Sequence, residues 1–69
     1  MRLPRIRPQR AAQLLERHGF RAVRSSGSHR IYRDALSRRY VLPFHSRKEL
    51  SPKAVKELLD LLGLTPADL

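Results

Sequence analysis

FRAVRSSGSHRIYRDALSRRYVL, residues 20–42, decides the fold. Phe20 to Arg24 reads as a short strand, and Ser25-Ser26-Gly27 is a cluster of turn-forming residues. Ser28 to Arg33 reads as a second strand, with Ile31 and Tyr32 as its β-formers. Asp34-Ala35-Leu36-Ser37 is a short connection. Arg39-Tyr40-Val41-Leu42 makes a third strand, stopped by Pro43. Connections this short link antiparallel neighbours, so the stretch predicts a three-stranded meander. Strict alternation places His29, Ile31 and Arg33 on one face of the second strand and Tyr32 on the other. Either Ile31 or Tyr32 can be its core residue, and a bulge near Gly27 would release His29 from the rule.

Helical patterns flank the strands. Ala11, Leu14, Leu15 and His18 recur at helical spacing after Pro8, a residue suited to a first turn. Gly19 follows as a stop signal, so a helix over Pro8 to His18 is expected. Ser51-Pro52 is a cap followed by proline at the first helical position, with Leu50 and Val55 placed as a hydrophobic staple. Val55, Leu58, Leu59 and Leu62 make the apolar stripe of this second helix, and Gly63 ends it. Thr65 to Asp68 has the spacing of one more capped turn. The order α-β-β-β-α predicts an α+β fold with a three-stranded antiparallel sheet and both helices on one face. Sixty-nine residues allow a single domain, 1–69. The uncovered sheet face then comes from the most basic part of the chain.

The net charge is +9, and twelve of the fifteen basic residues are arginine. Residues 1–48 hold thirteen basic and two acidic side chains, and residues 49–69 hold two and four. A field of this sign concentrates polyanions, and arginine suits phosphate and base stacking, so RNA is the expected partner. Cysteine is absent, which removes disulfides and thiolate metal sites. No apolar run is long enough for a membrane span. Met1 to Pro8 is basic and lacks the apolar stretch of a secretory signal, so a cytoplasmic location is expected.

Three histidines offer chemistry. His18 falls on the apolar side of the first helix near its end, a place for packing or for interaction with the helix terminus. His29 follows a Gly-Ser turn and opens a strand, with Arg24, Arg30 and Arg33 close in sequence. An imidazole there can move a proton during phosphodiester cleavage, or simply hydrogen-bond phosphate. His45 lies in a polar, basic loop with Lys48 and suits contact with the RNA backbone or loop packing, ahead of a role as a second proton-transfer group. The carboxylates Glu16, Asp34, Glu49, Glu57, Asp60 and Asp68 are dispersed, so no metal and no cofactor are expected.

Gly19-Phe20, Arg24, Gly27-Ser28-His29, Ile31-Tyr32-Arg33, Val41, Pro43, His45 and Lys48-Glu49-Leu50, in this order, resemble the HicA toxins of bacterial HicAB toxin–antitoxin pairs. The resemblance spans nearly the whole chain, and only the combination of these short motifs is specific. It implies a fold like the double-stranded-RNA-binding domain. It also implies a metal-independent mRNA interferase whose catalytic histidine is His29, neutralised by a HicB-like antitoxin. RNA contacts are then expected from Arg24, Gly27, Ser28, Arg30, Arg33, His45 and Lys48. Two departures stand out. Lys53-Ala54 follow Pro52 where many members have Gly-Thr, and the connection from Asp34 to Arg38 lacks the glycine or proline often found there. The other readings are a non-catalytic RNA-binding module or degenerate toxin, and a nucleic-acid-binding accessory protein.

Overall fold

Helix α1 (Pro8–Arg17) starts at a proline, whose missing N–H is no loss in a first turn. It stops at Gly19, which takes φ +85. There the Gly19 N–H donates to the Glu16 carbonyl at 3.1 Å and the Phe20 N–H to the Leu15 carbonyl at 2.9 Å. This paired pattern satisfies two of the carbonyls a helix end leaves open, and glycine bears the left-handed conformation most cheaply. It also turns Phe20 back onto Leu15, and both are fully buried. Phe20 therefore belongs to the helix stop and not to the first strand. His18, the capping residue just before Gly19, is exposed, and its Nδ1 lies 2.8 Å from the Leu14 carbonyl oxygen. Of the two roles expected for it, contact with the helix terminus is the one observed.

The structure is a computed structural model that describes residues 3–44 and 48–69. Three strands follow α1: β1 (Arg21–Ser26), β2 (His29–Arg33) and β3 (Arg39–Pro43), paired antiparallel in the order β1-β2-β3. Pro43 is thus the last residue of β3. The Phe44 N–H donates to the Ser28 carbonyl at 2.6 Å and sets the parity of the β2–β3 ladder. His29 and Pro43 form a pair whose backbones do not bond to each other, so the proline needs no N–H there. Helix α2 (Pro52–Leu62) begins as its sequence requires: the Ser51 Oγ accepts from the Ala54 N–H at 3.1 Å. Leu50 and Val55 are both buried around that cap. The helix ends at Gly63 with the hydrogen-bond pattern seen at Gly19. A short 3-10 turn, Pro66–Asp68, closes on a capping box between Thr65 and Asp68.

The core lies between one sheet face and the two helices. It gathers Ala11, Leu14 and Leu15 from α1, Tyr32, Tyr40 and Leu42 from the sheet, and Val55, Leu58 and Leu59 from α2, with Ile6, Phe20 and Leu50. Tyr32, not Ile31, is the core residue of β2, at 1 % exposure. It stands opposite Tyr40, an aromatic cross-strand pair. The Tyr40 hydroxyl donates to the Ala54 carbonyl at 3.2 Å, and burial, with the charge of Glu57, pushes its ionisation up to about 12.

Strand β1 contributes nothing to this core. All six of its residues are exposed, and Val23 is an extra residue in its ladder, between Ala22 paired with Tyr32 and Arg24 paired with Ile31. The bulge lies at Val23 and not near Gly27, so the alternation of β2 reaches His29 intact.

Candidate nucleic-acid interface

The hairpin joining β1 to β2 has two residues, Gly27 and Ser28, between the paired Ser26 and His29. Gly27 takes φ +59 while Ser28 stays at negative φ. A positive first and negative second φ is the pattern of a II′ hairpin turn, which places glycine first. The turn thus delivers His29 to the first ladder position of the central strand.

Tyr32, Tyr40 and Leu42 face the helices, so residues of opposite parity face away from them. Three rows cross this outer face. Ser26, His29 and Pro43 form the row at the hairpin end. Arg24, Ile31 and Val41 form the middle row, and Arg21, Arg33 and Arg39 the far one. His29 is exposed, and Arg24 lies diagonally across from it, a separation of roughly 7–8 Å that a long side chain spans. Val41 is 39 % exposed and Ile31 half-buried, so the centre of the face is apolar, with Arg24 beside it on β1 and the arginine row at its far end. Among the described residues the ion pairs are Arg5–Glu49, Arg38–Asp34 and Lys56–Asp60. None of them involves an arginine of the outer face.

The other expected contacts fall differently. Gly27 and Ser28 form the turn beside His29. Arg33 shares the face of His29 but lies four residues along β2, about 13 Å away at ~3.3 Å per residue. Arg30 is on the opposite face: it pairs with Leu42, and its guanidinium stacks on Phe44, 3.7 Å from the ring centre. Lys48 is exposed and lines a small groove with Glu49, Leu50, Ser51 and Pro43, the cross-strand neighbour of His29. His45 lies outside the described residues. Arg21 and Arg39 went unnoticed in the sequence, although they complete the outer face. The signal for Arg39 was its place beside Tyr40, once that tyrosine is known to be core.

Arg38 shows what an arginine committed to the fold looks like here. Its Nε donates to Asp34 at 2.7 Å, one terminal nitrogen donates to the Leu61 carbonyl at 3.3 Å, and its head lies over Phe20. Asp34 also accepts from the backbone N–H groups of Leu36 and Arg38. The connection between β2 and β3 is held by this carboxylate, without the glycine or proline that a tight turn often uses. Among its residues Ser37 takes φ +62.

Residues 9–64 match the family model described as the HicA toxin of bacterial toxin–antitoxin. The chain belongs to the HicA toxin family. The match takes in α1 from its second residue, the whole sheet and α2, and with them the Gly27-Ser28-His29 turn. No curated protein matches the chain. Membership of a toxin–antitoxin family suggests an antitoxin partner. No helix among the described residues is long and apolar enough to cross a membrane.

Proposed function

We propose that this HicA-family chain is a metal-independent endoribonuclease, an mRNA interferase, and that His29 is its catalytic residue. The observation that carries the reading is the position of His29. It is an exposed imidazole on the sheet face turned away from both helices, next to a glycine turn, with Arg24, outside the observed ion pairs, diagonally across from it. Family membership supports the same assignment.

The substrate brings its own nucleophile. The 2′-oxygen of a ribose attacks the adjacent phosphorus in line, the bond from phosphorus to the 5′-oxygen breaks, and the products are a 2′,3′-cyclic phosphate and a 5′-hydroxyl. His29 takes the proton from the 2′-hydroxyl or gives one to the departing 5′-oxygen. The complementary transfer needs a second group, and His45 is the candidate the sequence offers. Arg24, on the same face, is within reach of the charge that builds on the phosphoryl oxygens. Gly27 and Ser28 let the RNA backbone approach the turn, Lys48 extends the basic surface at that end, and Arg33 extends it at the other. Arg30 contributes from the opposite face, where it braces Phe44 and the strand end beside His29. The protein partner is a HicB-like antitoxin that neutralises the toxin, and the compartment is the cytoplasm, where mRNA is found.

His29→Ala tests the reading. Loss of a proton-transfer group is expected to slow cleavage by about 10²–10⁴. An exposed strand residue should change stability by no more than ~0.5 kcal/mol. Cleavage is followed on a labelled RNA with EDTA present and product ends identified by mass. Intact RNA with the wild-type chain, despite binding, would assign a non-catalytic RNA-binding module. Cleavage unchanged in His29→Ala would move the chemistry elsewhere. Stronger binding to DNA than to RNA at matched salt would favour the accessory-protein reading.

A further inference from the structure

The far row of the outer face is the least expected feature of the sheet. Arg21, Arg33 and Arg39 stand directly opposite one another on three neighbouring strands, all exposed. Strands lie ~4.8 Å apart, so three guanidinium groups rise from a strip only about 10 Å across. Arg33 and Arg39 also fall in the closely spaced class of pairs that the Phe44–Ser28 hydrogen bond sets, where side chains come nearest. Like charges placed opposite each other weaken a sheet. The nearest acid in sequence, Asp34, does not relieve them, because its carboxylate is engaged by Arg38 and by two backbone N–H groups. Selection for stability alone would not assemble such a row, whereas a bound polyanion neutralises it.

We infer that Arg21, Arg33 and Arg39 form an auxiliary phosphate subsite. It holds the RNA backbone a few nucleotides away from the bond cleaved at His29. The inference rests on the outer face being an RNA surface. The spacing supports it: the row is about 13 Å from His29 along β2, with the apolar Ile31 and Val41 between them. RNA crossing from one site to the other lays sugars and bases on the apolar strip and leaves phosphates at both ends. Arginine fits this role better than lysine, because its planar fork engages two phosphate oxygens at once. The row thus adds a grip along the strand and sets a minimum length for tight-binding RNA.

The test measures binding, so it does not depend on cleavage. In a His29→Ala background, Arg21→Gln, Arg33→Gln and Arg39→Gln are combined, and affinity for a labelled 12-nucleotide oligouridylate is followed against salt. Each single-strand phosphate contact contributes about 0.7 to the slope of log K against log salt, so the slope should fall by about 2. A trinucleotide should show a much smaller change. Replacing all three arginines with lysine should restore most of the slope. Without RNA, the glutamine variant should melt at or above the parent temperature, with the gain shrinking at high salt. An unchanged slope overturns the subsite, and so does a fall in melting temperature that accompanies uniform loss at both RNA lengths. Intact RNA binding with weakened binding of an acidic protein partner also overturns it and assigns the row to a protein interface. If the wild-type chain fails to cleave RNA while the slope behaves as stated, the catalytic reading falls and the subsite stands.

Discussion

Val41 and Leu42 are neighbours in one strand and live in different solvents. Leu42 is fully buried under the helices, and Val41 is 39 % exposed on the outer face. The same one-residue step separates Tyr32 from Ile31 and from Arg33. Arginine use follows the same division. On the helix side Arg38 clamps Asp34 and the end of α2, and Arg30 stacks on Phe44. On the outer side Arg21, Arg24, Arg33 and Arg39 stand outside the ion pairs of the described residues. In so short a chain one sheet face holds the fold together. The other is released from that work, and that is the face carrying His29.

The sharpest way to break this contrast is to shorten both members of the adjacent pair. Leu42→Ala should cost about 2–5 kcal/mol, because a buried leucine leaves a cavity behind. A 69-residue chain at 0.05–0.15 kcal/mol per residue holds only roughly 3–10 kcal/mol, so this one change should remove a large share of its stability. Val41→Ala, one residue away, should cost about 0.5 kcal/mol. Urea unfolding followed by circular dichroism gives both values. Equal losses would mean that the outer face is covered by something that packs on Val41.

A second contrast separates the two faces by pH. Burial keeps the Tyr40 phenol neutral to about 12, against an ordinary value of 10.0. The folded state therefore resists ionisation that the unfolded chain accepts. Its contribution is complete below pH 10 and is lost as pH climbs from about 10 to about 12. At 1.36 kcal/mol per pH unit, discounted for the solvent that reaches the phenol, that loss is on the order of 1–2 kcal/mol. Tyr40→Phe should be about 1 kcal/mol less stable at neutral pH, for want of the hydrogen bond to Ala54. The difference between the two chains should then vanish and reverse on the alkaline side. Parallel stability curves up to pH 12 would show that the phenol is hydrated in the folded state.

Much of this division was legible in the sequence. Ser51-Pro52 and Gly63 bound α2 because a side-chain cap, a first-turn proline and a left-handed stop each have a local physical cause. Gly19 marked the end of α1 for the same reason, although its hydrogen bonds also drew Phe20 out of the first strand. The parity of β2 was not legible locally. Ile31 and Tyr32 are both good strand residues, and only the position of the helices selects between them. The bulge at Val23 has no glycine to announce it, so the register of β1 and the place of Arg21 depended on tertiary structure. Arg30 looked like part of the basic surface because sequence distance from His29 says nothing about which way a strand residue points. The outward place of His29 follows from alternation once Tyr32 is known to be core. Its assignment as the catalytic residue came from the resemblance, since one imidazole without a fixed partner has several uses.

The smallest expected effect concerns the acid limb of stability. Partial burial of the Asp34 carboxylate opposes its ionisation. The side chain, backbone N–H and charge of Arg38, joined by the Leu36 N–H, outweigh that and lower its pKa from the ordinary 3.8. A group lowered in the folded state stabilises it above the unfolded value, and the contribution disappears as pH falls through the lowered one. Asp34→Asn should therefore flatten the stability curve below about pH 4, with only a modest change at neutral pH. Arg24→Gln is the matched control on the outer face, where no carboxylate pairs with the arginine among the described residues. Its acid limb should superimpose on that of the wild type. If Arg24→Gln flattened the curve as much as Asp34→Asn, the outer arginines would have carboxylate partners in solution. The face around His29 would then be structural, like the one beneath the helices.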